Sequence, residues 1–176
     1  MSRQIVIAYW LIPADPARSF FQGVIDNLAR RYDAPVFEPH VTVHVEGNRT
    51  DAVEKVVSIA ARGCDGIALQ PREVRASAEF IKTLFVQFAL IAKLRQLNRS
   101  IRTAGRDSSD YQLNPHLSLL YKRMSIQDRR LLTQSIEVPF SEVTFNSLKA
   151  VRCISPTRCR ADVETWRVLT EKDLGT

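Results

Sequence analysis

The 176-residue chain is short of the groups that most often announce a site. It has three cysteines, Cys64, Cys153 and Cys159, with no C-x-x-C unit and no zinc-type spacing among them. An odd count leaves one thiol over under any pairing. The opening Met1-Ser2-Arg3-Gln4 has no leader architecture, which favours reduced thiols packed as small hydrophobes. A Cys153–Cys159 bridge is the open alternative. No apolar run approaches the ~18–20 residues of a membrane span, so a cytoplasmic protein with no membrane partner is expected. No His, Cys and carboxylate cluster has metal-ligand spacing, and no cofactor or metal is expected. Histidine is also scarce, at three residues, so any pattern among them carries weight.

What is present is an ordinary globular mixture, 45% hydrophobic and 25% charged, which excludes a disordered chain. The length suits one domain over residues 1–176, expected as a monomer. Twenty-five Lys and Arg against 19 Asp and Glu give a net charge of +6, favouring an anionic partner such as a phosphate-bearing ligand. The basic residues are dispersed, and no lysine-rich tail marks a nucleic-acid binder.

Gln4 to Ile12 is apolar on both alternating faces and predicts a central strand covered on both sides. Asp15-Pro16 predicts the start of a helix carrying Phe21, Val24, Ile25 and Leu28. A β-branched strand over 40–45 follows, then a helix over 50–61 capped by Thr50. Residues 66–78 and 81–88 read as two strands, 89–103 as a helix, 116–121 as a strand and 125–135 as a helix capped by Ser125. Strands are predicted at Val138–Phe145, Ser147–Ile154 and Val163–Thr170.

The order strand, helix, strand, helix thus occurs twice, over roughly 1–65 and 80–137, ahead of terminal strands within 138–171. The second strand of each half opens alike: Pro39-His40-Val41-Thr42-Val43 and Pro115-His116-Leu117-Ser118-Leu119. The two histidines are 76 residues apart. A repeat of this kind predicts an α+β molecule with two pseudo-symmetric lobes around a central cleft.

Alternation puts residues i and i+2 on one strand face, so His40 points with Thr42 and His116 with Ser118. Two imidazoles titrating near neutrality suit phosphodiester cleavage: one takes a proton from water, the other gives one to the leaving oxygen. The Thr42 and Ser118 hydroxyls would donate to the non-bridging oxygens. One His-x-Thr is a weak signal, but two in the same slot of a repeated half are a strong one. A bell-shaped pH dependence with both limbs between roughly pH 5 and 8 follows. His44 falls on the same alternating face, four residues along, ~13 Å from His40 and too far to share a metal with it. Trp10 and Phe80 are candidates to stack a base or wall the cleft, and Trp166 reads as core.

His-Val-Thr-Val and His-Leu-Ser-Leu resemble the double H-x-[T/S]-x signature of the two-histidine (2H) phosphoesterase superfamily. The contexts Phe37-Glu38-Pro39-His40 and His116-Leu117-Ser118-Leu119-Leu120-Tyr121, with Tyr9-Trp10-Leu11-Ile12-Pro13, are similar to its cyclic phosphodiesterase branch. The resemblance covers almost the whole chain. It implies antiparallel sheets facing the cleft, helices outside, and metal-independent hydrolysis of a 2′,3′-cyclic nucleotide or ADP-ribose 1″,2″-cyclic phosphate. It also implies a substrate-binding aromatic after the second motif, a position held by Tyr121. On a regular strand Tyr121 would face away from His116, so a bulge or strand end must intervene. Two departures stand out: His44, where a small or apolar residue is expected, and Phe80-Ile81-Lys82, where more aromatic character is expected. Alternatives are an RNA-end or 2′–5′ oligonucleotide phosphodiesterase or ligase of the same superfamily, and a non-catalytic nucleotide- or RNA-binding module.

Overall fold

A computed structural model describes residues 2–175. The chain is α+β, with an antiparallel sheet and helices packed outside it. Strand β1 (Gln4–Pro13) is followed by α1 (Ala17–Tyr32), β2 (Val41–Gly47) and α2 (Val53–Arg62). Short β3 (Ile67–Leu69) and β4 (Pro71–Ala76) come next, then a 3-10 turn (Phe80–Lys82). β5 (Leu84–Phe88), α3 (Ala92–Gly105), β6 (His116–Leu120) and α4 (Ile126–Ser135) follow. Long β7 (Val143–Ser155), α5 (Arg160–Glu164) and β8 (Arg167–Asp173) close the chain. The strands run in the order β3-β7-β1-β2-β6-β5-β4, with β8 also on β7.

β1 is central as its sequence predicts, flanked by β2 and β7. Its odd-numbered side chains, Ile7, Tyr9 and Leu11, enter the main core with Phe21 and Ile25 of α1 and the apolar stripes of α2 and α3. Burying each large apolar side chain contributes roughly 1.5–3 kcal/mol. Its even-numbered side chains, Ala8, Trp10 and Ile12, form a smaller cluster with Val151 and Cys153 on the other face.

Several boundaries differ from the sequence pattern. Residues 66–78 split into β3, which pairs with β7, and β4, which pairs with β5. Residues 138–142 are not in a strand, and the rest of the two strands predicted within 138–154 forms one, β7, because residues 145–155 run opposite 4–13 without a break in pairing large enough to end the strand. Val163 sits in the short helix α5, not in a terminal strand. Asp15 is not the N-cap of α1, a position held by Pro16 without a side-chain cap bond; it lies one residue further out, its Oδ1 accepting from the Ser19 amide at 3.1 Å. Thr50 does not cap α2, which begins after Ala52 with no side-chain cap. Ser125 caps α4, accepting from the Asp128 amide. All three cysteines are free thiols.

Each half contributes its strand to the middle of the sheet, and β2 meets β6 through a single residue pair, Val41 and Leu117. Close on either side of that junction lie the two motif histidines. Two bulges then decide which side chains follow them. Opposite β1, Thr42 pairs with Trp10 but His44 pairs with Tyr9, so Val43 is the extra residue. Opposite β5, Ser118 pairs with Phe85 but Leu120 pairs with Leu84, so Leu119 is the extra residue. The bulges occupy the same slot, the fourth residue of each motif. An extra residue reverses the alternation beyond it.

Candidate active site

A cavity of about 210 Å³ opens on the face of the sheet opposite the main core. The first motif supplies His40, Thr42 and Val45 to its wall, and the second supplies His116, Ser118 and Tyr121. Both triples have the spacing 0, +2, +5, which the paired bulges produce. Tyr121 is therefore brought to the cleft by the Leu119 bulge and by the end of β6 at Leu120. The same effect removes His44. Its expected position on the face of His40 is wrong, since the Val43 bulge turns it to the opposite face, where it is fully buried.

Both motif histidines are oriented by the same local bond. The Nδ1–H of His40 donates to the Glu38 carbonyl at 2.7 Å, and that of His116 to the Asn114 carbonyl at 2.8 Å. A carbonyl only accepts, so each Nδ1 carries the proton and each neutral Nε2 keeps a free lone pair. Proline at 39 and 115 holds the preceding residue extended, which sets each carbonyl two residues before its ring.

Burial dominates the electrostatics. His40 is 7% exposed, and desolvation, joined by the charges of His116 and Lys149, lowers its pKa from 6.5 to about 4 against the opposing Glu38 bond. His116 is also lowered, first by burial and then by Lys82, with the Asn114 bond and Glu79 opposing. Lys149 is held by the Glu38 carboxylate at 2.9 and 2.8 Å, and Arg18 reaches the same carboxylate at 2.7 Å. The residue whose carbonyl aims His40 is thus anchored at its side chain.

The aromatic residues divide differently from expectation. Trp10 walls the cleft, but its face is stacked on His40, with centroids 3.7 Å apart, and is not free to stack a base. Phe80 is not among the cavity-lining residues. It packs behind Tyr121, with centroids 6.1 Å apart, while its neighbour Ile81 reaches the wall. Trp166, expected in the core, lines the cleft edge-on to Trp10, His40 and Tyr121. Its indole Nε1 is buried without a hydrogen-bond partner. Nothing in the local sequence of Trp166 distinguishes it from a core residue. Ser155 at the end of β7 and the following Pro156 and Thr157, also missed, close one side.

The two hydroxyls are not equivalent. Ser118 Oγ donates to the Ile81 carbonyl at 2.8 Å, whereas Thr42 Oγ1 has no protein partner among the described residues. Tyr121 is stacked on Phe37 with centroids 3.7 Å apart, and burial raises its pKa, opposed by the polar influence of Ser118.

Metal-ligand atoms of His44, Glu46 and Asp107 lie within 4.8 Å of one another on the far face. The protonation state of His44 does not suit a metal. Asn98 Nδ2 donates to the Val43 carbonyl at 2.8 Å, so the nitrogen 3.3 Å from His44 Nδ1 is also a donor, and Nδ1 must accept. The Nε2–H then donates to Asp107 at 2.8 Å. The Nδ1 lone pair is thus taken up by Asn98, and Nε2 carries a proton that a metal would have to displace.

An antiparallel α+β fold with two His-x-hydroxyl strands meeting at one cleft defines a phosphodiesterase of the two-histidine class. The chain belongs to the family of cyclic phosphodiesterase-like proteins, which it matches over residues 5–174. It is 21% identical over 174 residues to a cyclic phosphodiesterase of Arabidopsis thaliana, covering 97% of this chain and 96% of that one. It is 27% identical over 206 residues to a 2′,3′-cyclic-nucleotide 3′-phosphodiesterase of Kluyveromyces lactis, covering 94% and 97%. The fold is that of E. coli LigT, solved in complex with 3′-AMP, at a TM-score of 0.55 and 15% identity over 99% of this chain and 100% of that one. The protein is accordingly an enzyme that hydrolyses phosphodiesters. No helix among the described residues is long and apolar enough to cross a membrane.

Proposed function

We propose that the cleft hydrolyses a small cyclic phosphodiester, a 2′,3′-cyclic nucleotide or ADP-ribose 1″,2″-cyclic phosphate, to a phosphomonoester, with His40 and His116 as its acid–base pair. The observation that carries this reading is the matched pair of Nδ1–H bonds to backbone carbonyls, which leaves two Nε2 atoms in one cavity. One neutral Nε2 takes a proton as water attacks phosphorus. The bond from phosphorus to one ring oxygen breaks, and the other imidazole, protonated, gives its Nε2 proton to that oxygen. Thr42 and Ser118 donate to the non-bridging oxygens, and Tyr121 and Trp166 wall the nucleoside side. The two halves act as lobes of one catalytic domain spanning the chain.

The anionic phosphate explains how one imidazole becomes charged in so dry a site. Its negative charge opposes the desolvation that keeps both rings neutral, raising the pKa of whichever ring lies nearer the leaving oxygen. Among the described residues no carboxylate side chain lines the cavity, and the Cys153 thiol there is pushed up to about 12 by burial, so it stays protonated.

The test is turnover of 2′,3′-cyclic AMP in EDTA, followed by the replacement of the cyclic phosphorus resonance with that of a monoester. His40→Ala and His116→Ala are each expected to lower kcat by ~10²–10⁴ while staying folded. A rate that collapses in EDTA, or survives both substitutions, refutes the reading.

A further inference from the structure

The Val43 bulge is what separates cleft-facing His40 and Thr42 from core-facing His44, and it is held by side chains from outside the sheet. β2 bonds to β6 through Val41 alone, so the strand is not locked in phase on that side by a ladder. Two groups take its place. Asn98 of α3 uses both protons of one amide nitrogen, donating to the Val43 carbonyl at 2.8 Å and to His44 Nδ1 at 3.3 Å. It thus ties together the extra residue and the first residue after the change of phase. Tyr111, on the segment between α3 and β6, donates its hydroxyl to the Thr42 carbonyl at 3.3 Å.

The arrangement is buried and continues outward. His44 is fully buried and Asn98 is 8% exposed. His44 Nε2–H is held by Asp107, which also accepts from the Ser109 hydroxyl. Beside it Tyr9 donates to Glu46, whose other oxygen has no partner. A Cβ at residue 105 would meet that oxygen at 2.8 Å, so a side chain there would push the Glu46 carboxylate aside. The segment that begins at Asp107 ends at Asn114, whose carbonyl orients His116.

We propose that Asn98 and Tyr111 are positioning residues for the first motif: they hold the β2 bulge in the phase that aims His40 and Thr42 into the cleft. The proposal rests on the reading of that cleft as the hydrolytic site. A strand without the bulge carries one residue fewer between fixed ends. It must slip or rotate, and a one-residue slip turns every side chain to the other face. Asn98 makes that slip costly, because it would leave a buried carbonyl and a buried imidazole nitrogen unpaired together. A displacement near 1 Å at a catalytic group is enough to cost on the order of 10²-fold in rate.

The experiment measures kcat and KM on 2′,3′-cyclic AMP for Asn98→Ser and Tyr111→Phe, well below their melting temperatures, with His40→Ala alongside. Asn98→Ser is expected to lower kcat at least ~10-fold with KM within ~3-fold, because misaimed groups lose the transition state more than ground-state binding. Tyr111→Phe removes one hydroxyl and is expected to lower kcat ~3-fold with KM unchanged and folding intact. Lowered melting temperatures with kcat within ~2-fold of the parent for both variants would make these residues structural only and overturn the proposal. If Asn98→Ser fails to fold, Tyr111→Phe decides alone, by the same criterion. Should His40→Ala retain the parent rate, the reading of the cleft fails, an outcome distinct from a silent Asn98→Ser in an enzyme that needs His40.

Discussion

The indole of Trp10 lies flat against the imidazole of His40, with ring centroids 3.7 Å apart and planes 12° from parallel. The stack excludes water from one face of the ring and supplies part of the burial that lowers the His40 pKa to about 4. Trp10→Ala is expected to raise that pKa toward 6.5, read by the imidazole NMR shifts of His40 across a pH titration. A pKa that stays near 4 would place the desolvation elsewhere. kcat should fall about 10-fold as the ring gains rotational freedom.

The hydroxyls should separate in a way their matched motifs do not suggest. The Ser118 proton is committed to the Ile81 carbonyl, so Ser118 must break that bond to donate to phosphate. Thr42→Ala is therefore expected to lower kcat ~10–100-fold and Ser118→Ala several-fold less. Equal losses, or a larger one at Ser118, would show that Ser118 rotates to the phosphate freely.

Both cleft histidines are held below 6.5 in the free protein. The expectation of limbs spanning pH 5 to 8 is thereby moved: kcat/KM, which reports the free enzyme, should peak below pH 6.5. kcat reports the bound complex, in which the phosphate charge raises both groups, so its optimum should lie ~1 unit higher. Coincident optima would mean that the substrate does not perturb the pair.

Folding stability carries the same signature. His40, His44 and His116 are all depressed in the folded state, first of all by burial. The unfolded chain therefore binds more protons as pH drops below about 6.5. Stability is fully present above that pH and is lost on acidification, down to about pH 4 for His40. Each histidine contributes up to about 1.4 kcal/mol per pH unit within its window. His40→Asn should make urea midpoints between pH 4 and 6.5 less pH-dependent. An unchanged slope would show that His40 is not depressed.

The sequence by itself determined the twice-repeated order of strand, helix, strand and helix, the central strand and the repeated pair of His-x-hydroxyl motifs, because these are local: periodicity, proline placement and residue type act within a few positions. It also placed His40 with Thr42 and His116 with Ser118, since alternation holds up to each bulge. What lies beyond each bulge was decided by tertiary structure. The extra residues at Val43 and Leu119 are visible only against β1 and β5, so His44 went to the core, while Val45 and Tyr121 came to the cleft. Likewise Trp166 reached the site, and Phe80 was kept behind Tyr121, through packing between segments far apart in the chain. Register against a neighbouring strand is a property of two segments together, and no single stretch of sequence carries it.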